Sequence, residues 1–276
     1  MLRGTPGEVG GPVVPTHGFL LDELRLDAVR IFEASHPPAL RIAQHEHDLV
    51  KVCIVLDGAC MERDGLNVRS LRPMDVLIRP SRQTHVNHYG GKGARSLLLE
   101  LPPDHRYAVA LSRMDTSGMV PVGVRLAAGE LVRAFHDGGR DRARLTRVAM
   151  RSLVTMIVEG CLPRSRPPWL HAIRERLAER FAEPLGLDEL AQLAGVHRVH
   201  LSQSFRAHFG QTLTAYVRSL RIFHVTELLW SGTDISTAAI TCGFYDQSHL
   251  THAFWREREV APGQYRAAMV AASRPP

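Results

Sequence analysis

The sequence predicts an α+β chain: an N-terminal barrel of short antiparallel strands, a middle helical segment, and a C-terminal all-α part with two helix–turn–helix units. Three observations predict it. Across residues 25–101, short runs of branched apolar residues alternate with turn residues at strand spacing. After Pro103, apolar residues recur at helical spacing. Beyond Pro168, a helix–turn–helix pattern occurs twice.

Composition narrows the function classes. The 276 residues are 45% hydrophobic and 22% charged, the balance of a folded protein and not of a disordered one. No run approaches the ~20 apolar residues of a membrane helix, so no membrane partner is expected. Residues 1–18 are rich in glycine and proline and lack the apolar core of a signal peptide, so a cytoplasmic address is expected. Cys53, Cys60, Cys161 and Cys242 form no C-x-x-C pattern, so neither a disulfide framework nor a cysteine zinc finger is expected. The net charge of +6 permits a polyanionic partner without demanding one. Dividing the chain at Leu162 leaves 21 basic against 18 acidic residues before it and 13 against 10 after, so charge does not say which half meets such a partner. Only Lys51 and Lys92 are lysines; the other basic residues are arginines, which suit bidentate contact with phosphate and guanine. A GC-rich coding bias explains the same excess.

Taken in order, a flexible lead opens the chain. Val50 to Leu56 reads as a strand ending at Asp57-Gly58, Asp75 to Arg79 as one ending at Pro80, and Ser96 to Leu101 as one ending at Pro102-Pro103. Asp57-Gly58 and Asp64-Gly65 are turn signals. Helical patterns follow near 104–114, 123–137 and 142–161. In the last, Leu145, Val148, Ala149, Leu153, Met156 and Ile157 fall on one face, suited to core or to dimer contact. Pro163-Arg164-Ser165-Arg166-Pro167-Pro168 is a semi-rigid linker hostile to helix.

The C-terminal repeat reads Ala191-x-x-Ala194-Gly195-Val196 then Leu201-x-x-x-Phe205, and again Ala239-x-x-Cys242-Gly243-Phe244 then Leu250-x-x-x-Phe254. Helices are expected at 187–194 and about 198–209, with Leu187, Leu190 and Ala191 facing inward. In the second copy they are expected at 235–242 and about 247–258, capped by Asp234 and Asp246. Between the copies, residues 212–231 carry one long helical pattern. About 18 helical residues span ~27 Å, close to the ~34 Å between successive major grooves on one face of a duplex.

These residues resemble the DNA-binding domain of the AraC/XylS family of bacterial transcription regulators. The resemblance covers residues 169–266. It rests on Leu187-Asp188-Glu189-Leu190-Ala191, Leu201-Ser202-x-x-Phe205-Arg206-x-x-Phe209-Gly210, Ile235-x-x-x-Ala239, Cys242-Gly243-Phe244-x-Asp246-Gln247-Ser248-His249-Leu250, Phe254 and Pro262-x-x-Tyr265-Arg266. It implies double-stranded promoter DNA and RNA polymerase as partners, and a homodimer. The chain departs from the family pattern at His197, where a small capping residue is usual, and at Val199, where an aromatic or polar residue is common. With Leu201 and Phe205 inward, Arg198, Val199, Ser202, Gln203 and Arg206 face DNA on the first reading helix: Arg198, Ser202 and Gln203 near bases, Arg206 near phosphate. On the second, Tyr245, Gln247, Ser248, His252 and Arg256 surround the inward Leu250 and Phe254.

In the N-terminal half, His45-x-His47-x₃-Lys51-x₆-Gly58 and Pro80-x-Arg82-x₂-His85 resemble the two motifs of the cupin barrel, across about residues 25–101. That resemblance implies a ligand set of three histidines and one glutamate. His45, His47 and His85 match, but Lys51 stands in the glutamate's place, and Met74 and Arg82 replace motif glycines. A protonated lysine is no ligand, yet three neutral imidazoles suffice for zinc or another transition metal with one open position. Two readings stay open: a metal site, or histidines lining a small-molecule pocket. His88 is a further candidate by its nearness to His85.

The expected division is a lead at 1–24, a cupin-like sensor barrel at 25–103, a helical dimerisation segment at 104–162, a linker at 163–168 and the DNA-binding domain at 169–276. The leading function is a sequence-specific DNA-binding transcriptional regulator, not an enzyme, answering an unidentified small-molecule or metal effector through the barrel. The alternative is a metal-dependent cupin oxygenase or isomerase with a DNA-binding tail, which Lys51 argues against. A third class, an architectural DNA-binding protein, leaves the N-terminal half without a role.

Overall fold

A computed structural model describes residues 18–112, 122–160, 167–184 and 186–272. Among them, seven strands form one antiparallel sheet: β1 (Phe19–Leu26), β2 (Val29–His36), β3 (Arg41–His45), β4 (Val50–Asp64), β5 (Asn67–Leu71), β6 (Val76–Arg79) and β7 (His85–Leu101). Their order is β1-β2-β7-β4-β5, with β3 on β7 and β6 on β4. The first strand begins at Phe19, inside the segment expected as a flexible lead, because its residues pair with β2 from Phe19↔Ser35 to Leu26↔Val29.

Two strands are longer than the turn signals predict: β4 has 15 residues and β7 has 17. Asp57-Gly58 does not end a strand. It lies between register shifts of the β4·β7 ladder at Val55/Asp57 and Gly58/Cys60. Such irregularities bend a strand without terminating it, and that is why a turn dipeptide misleads here. Each long strand therefore serves both halves of the sheet. The start of β4 pairs with β6 and its end with β5. The start of β7 pairs with β3 and its end with β2. Ile42, Cys53, Val55, Cys60, Leu71, Leu77, Tyr89 and Ala94 form the buried cluster these strands share. Asp64-Gly65 is a true turn, leading from β4 into β5.

The helices are α1 (Arg106–Leu111), α2 (Val122–Phe135), α3 (Arg142–Gly160), α4 (Pro168–Glu179), α5 (Leu187–Ala194), α6 (Arg198–Phe209), α7 (Leu213–Trp230), α8 (Ile235–Thr241), α9 (Gln247–Arg258) and α10 (Pro262–Ala272). Leu131 and Phe135 of α2 and Leu153 and Ile157 of α3 share a core with Ile31, Val52, Leu97 and Leu99 of the sheet. The expected single-faced stripe of α3 is split. Ala149, Leu153 and Ile157 are buried, whereas Leu145, Val148 and Met156 are 37%, 61% and 37% exposed. At helical periodicity these six cover an arc of about 180°, and the packing of α3, chiefly against α2, covers only half of it. The linker residues 163–166 lie outside the described residues. Its last residue, Pro168, is the first of α4, where its missing N–H costs nothing.

The C-terminal helices dock on the sheet. Ala39, Met61 and Val68 join the core of α4 to α10. The Tyr216 hydroxyl donates to the Leu66 carbonyl at 2.5 Å, and the Tyr265 hydroxyl to the Tyr89 carbonyl at 2.9 Å. Arg258, fully buried, donates to the His88 carbonyl at 2.8 Å and to Thr226 Oγ1 at 2.9 Å. Glu227 of α7 accepts from Arg41 Nε and Nη2 at 2.8 and 3.0 Å and lies 2.5 Å from His88 Nε2. No helix among the described residues is long and apolar enough to cross a membrane.

Candidate nucleic-acid interface and histidine cluster

The first helix pair forms as its sequence dictates. Leu190 and Ala191 are buried on α5, while Leu187, expected inward, is 38% exposed and lines a groove instead. Gly195 ends α5 at φ +65°, the left-handed cap an L side chain resists. His197 replaces the usual small cap and still caps α6: its Nδ1 accepts from the Val199 N–H at 3.3 Å. Leu201, Phe205 and Phe209 are buried. That leaves Arg198, Val199, Gln203 and Arg206 exposed and Ser202 half-buried. The Ser202 hydroxyl donates to the Arg198 carbonyl at 3.0 Å, so its proton is already engaged within the helix.

The second pair repeats the plan with stronger caps. The Asp234 carboxylate accepts from the Thr237 N–H at 2.9 Å, and that of Asp246 from the His249 N–H at 2.7 Å. Leu250, Ala253 and Phe254 are buried on α9. Tyr245 is 86% exposed, and Gln247, Ser248, His252 and Arg256 are exposed with it. Gln247 Oε1 accepts from Ser236 at 2.8 Å, which steadies its side chain at the helix start. Gly243 has a positive φ, and a Cβ there would lie 2.0 Å from the Ala182 carbonyl oxygen. The second turn is therefore pressed against the connection between α4 and α5.

Between the pairs runs α7, 18 residues or ~27 Å long, capped by Thr212. A groove of about 920 Å³ lies over it, lined by Ser202, Gln203 and Arg206 from α6, His252 and Arg256 from α9, and Arg218 and Arg221 from α7. Five of the ten candidates from α6 and α9 thus line one groove, whereas Arg198, Val199, Tyr245, Gln247 and Ser248 do not. Sequence reasoning missed Arg221. It donates to the carbonyls of Phe181, Gly243 and Glu183 at 2.7, 2.7 and 3.1 Å, tying the two pairs together. Those acceptors are backbone atoms 22 to 40 residues away, invisible to any side-chain pattern.

The three N-terminal histidines do come together. His45 ends β3, His47 follows it, and His85 opens β7 directly opposite His45. Ring centroids are 4.2 Å apart for His45–His85, 4.9 Å for His45–His47 and 5.3 Å for His47–His85. His45 Nδ1 meets the Ala43 carbonyl at 2.8 Å, and His85 Nδ1 the Gln83 carbonyl at 2.9 Å. A carbonyl accepts only, so Nδ1 carries the proton in both and Nε2 presents a lone pair. Burial holds the pKa of His45 below the usual value, that of His47 at about 2 and that of His85 at about 4. All three are neutral at pH 7. Lys51, at the motif's glutamate position, is 2% exposed and its Nζ lies 3.0 Å from Glu100. Arg79 is paired with Glu62. His88 faces α7 and bonds Glu227. Met74 and Arg82, which replace motif glycines, have φ of +69° and +59°. The backbone keeps the shape that glycine would take there without strain.

The comparisons agree with the C-terminal geometry. Residues 190–268 match a family model described as a helix-turn-helix domain. The HTH-type transcriptional activator RhaR of Escherichia coli (strain K12) is 33% identical over 267 residues, covering 87% of this chain and 92% of that protein. RhaR of Salmonella schwarzengrund (strain CVM19633) is 35% identical over 103 residues, covering 37% of this chain and 36% of that protein. The solved structure of the AraC-like transcriptional activator CuxR is 16% identical, with a TM-score of 0.42, over 73% of this chain and 78% of that one.

Proposed function

The chain is a DNA-binding transcriptional regulator of the AraC/XylS family, and from that premise we propose how it reads DNA and what governs the reading. The helix pairs α5–α6 and α8–α9 act as two helix–turn–helix units, and α6 and α9 enter successive major grooves of a promoter. Arg198, Val199 and Gln203 lie at base edges, with Ser202 as an acceptor, and Arg206 on phosphate. Tyr245, Gln247, Ser248, His252 and Arg256 do the same work on α9. The observation that carries this reading is the shared groove: Ser202, Gln203 and Arg206 of α6 and His252 and Arg256 of α9 line one groove over α7, while the apolar faces of both helices are buried.

The N-terminal sheet is a cupin-like sensor, and its effector shifts the population between arrangements of the C-terminal domain by binding them unequally. Helices of 104–162 dimerise through the outward Leu145, Val148 and Met156 together with Leu126, all exposed. The linker 163–168 is the hinge to a DNA-binding domain from 169 onward. Because the RhaR relatives are described as transcriptional activators, this regulator works by recruiting RNA polymerase.

Fluorescence anisotropy on the promoter duplex upstream of the gene tests the reading. Affinity falls steeply with salt, with a slope of about −0.9 per phosphate contacted. Arg206→Ala lowers that slope by about 1 on every duplex. Gln203→Ala costs ~1–3 kcal/mol on the specific duplex alone. Salt-independent binding, or equal loss on random DNA from Gln203→Ala, would overturn the assignments.

A further inference from the structure

The groove over α7 has an apolar wall that DNA reading does not use. From α6 and α9 the lining is polar: Ser202, Gln203, Arg206, His252 and Arg256. From α5, α7 and the turn before α9 it is apolar: Leu187, Leu213, Val217 and Phe244, with the buried Leu177 and Leu190. Leu187 is 38% exposed there, and Leu213 and Val217 are only half-buried. Base edges and phosphates present polar atoms, and the thymine methyl is the apolar exception in the major groove. Apolar surface left open to water and rimmed by polar side chains marks a ligand groove. At about 920 Å³ the groove falls in the range of small-molecule sites.

The charge of the groove names the other half of its occupant. Arg206, Arg218, Arg221 and Arg256 line it, against the single carboxylate of Glu183 among the described residues. Glu183 is held by Arg180 at 2.5 Å, so its charge is already met. Arg221 gives its donors to three backbone carbonyls, and Arg218 gives Nε to Glu257 at 3.1 Å. Arg206 and Arg256 are exposed, and neither side chain has a hydrogen-bond or ion-pair partner among the described residues. Two uncommitted guanidinium forks beside an apolar wall complement an acid group carried on an apolar body. The DNA reading needs the same two forks, so acid and duplex compete for them.

We propose that the groove between the helix pairs binds a small organic acid with an apolar body, and that the bound acid excludes promoter DNA. The acid group meets Arg206 and Arg256, and the body covers Leu187, Leu213 and Val217. The exclusion rests on the DNA-binding reading above; the site itself does not.

The full chain is titrated with anilinonaphthalene sulfonate, an aromatic acid whose fluorescence rises in apolar surroundings. Wild type is compared with Leu187→Glu, Thr214→Glu and Val148→Glu. Leu187 and Thr214 are exposed in the groove lining and lie in the first turns of α5 and α7, where a carboxylate suits the helix. Both substitutions therefore set like charge against the acid at little cost to folding, which urea midpoints check. Val148, on the outward face of α3, is the control. One probe per wild-type chain is expected, bound at least ~10-fold more weakly by both groove variants and unchanged by Val148→Glu. Butylbenzoate is expected to displace it at least ~10-fold better than butylbenzyl alcohol, which has the same body without the charge. Saturating probe is expected to weaken promoter binding by ~10-fold or more. No probe on the folded wild type, or equal binding by the groove variants, overturns the site. Probe lost in Val148→Glu instead places it on α3 and overturns the site as well. Equal displacement by the alcohol overturns the acid. Probe held in the groove with promoter affinity unchanged overturns the exclusion. Promoter binding absent without any probe sinks the DNA-binding reading, while the probe titration still decides the site.

Discussion

Replacing Arg221 by alanine separates the folding of the two helix pairs from their mutual spacing. The guanidinium sits mid-way along α7 and reaches three carbonyls at 2.7, 2.7 and 3.1 Å. One of them, Gly243, is at the C-terminal end of α8, where a cation also meets the helix dipole. Hydrogen bonds from a charged donor contribute ~1.5–3 kcal/mol each when buried. Here the site is only half-buried and the freed carbonyls regain water, so about 1 kcal/mol each is the better figure. Arg221→Ala should then destabilise the chain by about 2–4 kcal/mol. Arg221→Lys, with no planar fork to span three acceptors, should lose about half of that. Urea unfolding followed by tryptophan fluorescence measures both. Function gives the sharper readout: affinity for a duplex holding both groove sites should fall, while affinity for a duplex holding one should not. Equal stability of all three proteins within ~0.5 kcal/mol, or equal loss on both duplexes, would refute a spacing role for Arg221.

Three further outcomes follow from the geometry. Burial pushes His88 down to about 4, beside Glu227, Arg41 and Arg258 and against the ring of Phe223. The unfolded chain therefore binds this proton more readily, so the contribution is complete above about pH 6.5 and is lost as pH falls toward 4, up to about 3 kcal/mol. His224, lowered to about 4, adds the same sign. The urea midpoint should drop between pH 7 and pH 5, and a flat or rising midpoint contradicts this. Arg82→Gly relieves ~1–2 kcal/mol of left-handed strain against ~0.5–1 kcal/mol of added chain entropy, so its melting temperature should hold or rise by a few degrees. A fall would show that the Arg82 side chain contributes more than its backbone costs. Val148→Glu, on the outward face of α3, should leave the melting temperature nearly unchanged and, if the proposed dimer forms through this face, yield a monomer in sedimentation. A dimer that persists places the contact elsewhere.

The C-terminal half was legible because its rules are local. Asp234 and Asp246 cap the helices the sequence assigns them, and Gly195 ends α5 where a left-handed residue is needed. The three histidines were legible for a similar reason: a strand places alternate residues together, and a motif spacing placed the third. What failed was non-local. Asp57-Gly58 has turn chemistry, but neighbouring strands hold β4 through it. The stripe on α3 has one periodicity, but only its packing, chiefly against α2, decides which half of it is covered. Leu187 has an apolar side chain at an inward period, yet it sits on the wall of the open groove and stays 38% exposed. Nothing near Glu227 in sequence announces Arg41 and His88, 186 and 139 residues away.

The arginines show the same limit from the side of charge. Both halves carry the same net excess, so a count could not locate the DNA-reading surface. The structure sorts arginines by environment. Arg79 and Arg258 are buried and serve as structural forks, bonding Glu62 in one case and neutral acceptors from sheet and α7 in the other. Arg221 braces backbone carbonyls. Arg198, Arg206 and Arg256 stay exposed on the reading helices. A coding bias supplies arginine everywhere, but a guanidinium left in water on a helix whose apolar face is buried retains its hydrogen-bond donors for phosphate or guanine. Exposure on a helix whose apolar face is buried, and not charge count, is therefore the property that would distinguish a reader from a brace. By that criterion Arg198→Ala should weaken promoter binding while leaving the urea midpoint in place. Arg258→Ala should do the reverse first: it removes donors from the His88 carbonyl and Thr226 in a buried interface and lowers stability before DNA affinity is reached. If Arg198→Ala destabilised the fold as much as Arg258→Ala, exposure would not be the sorting rule.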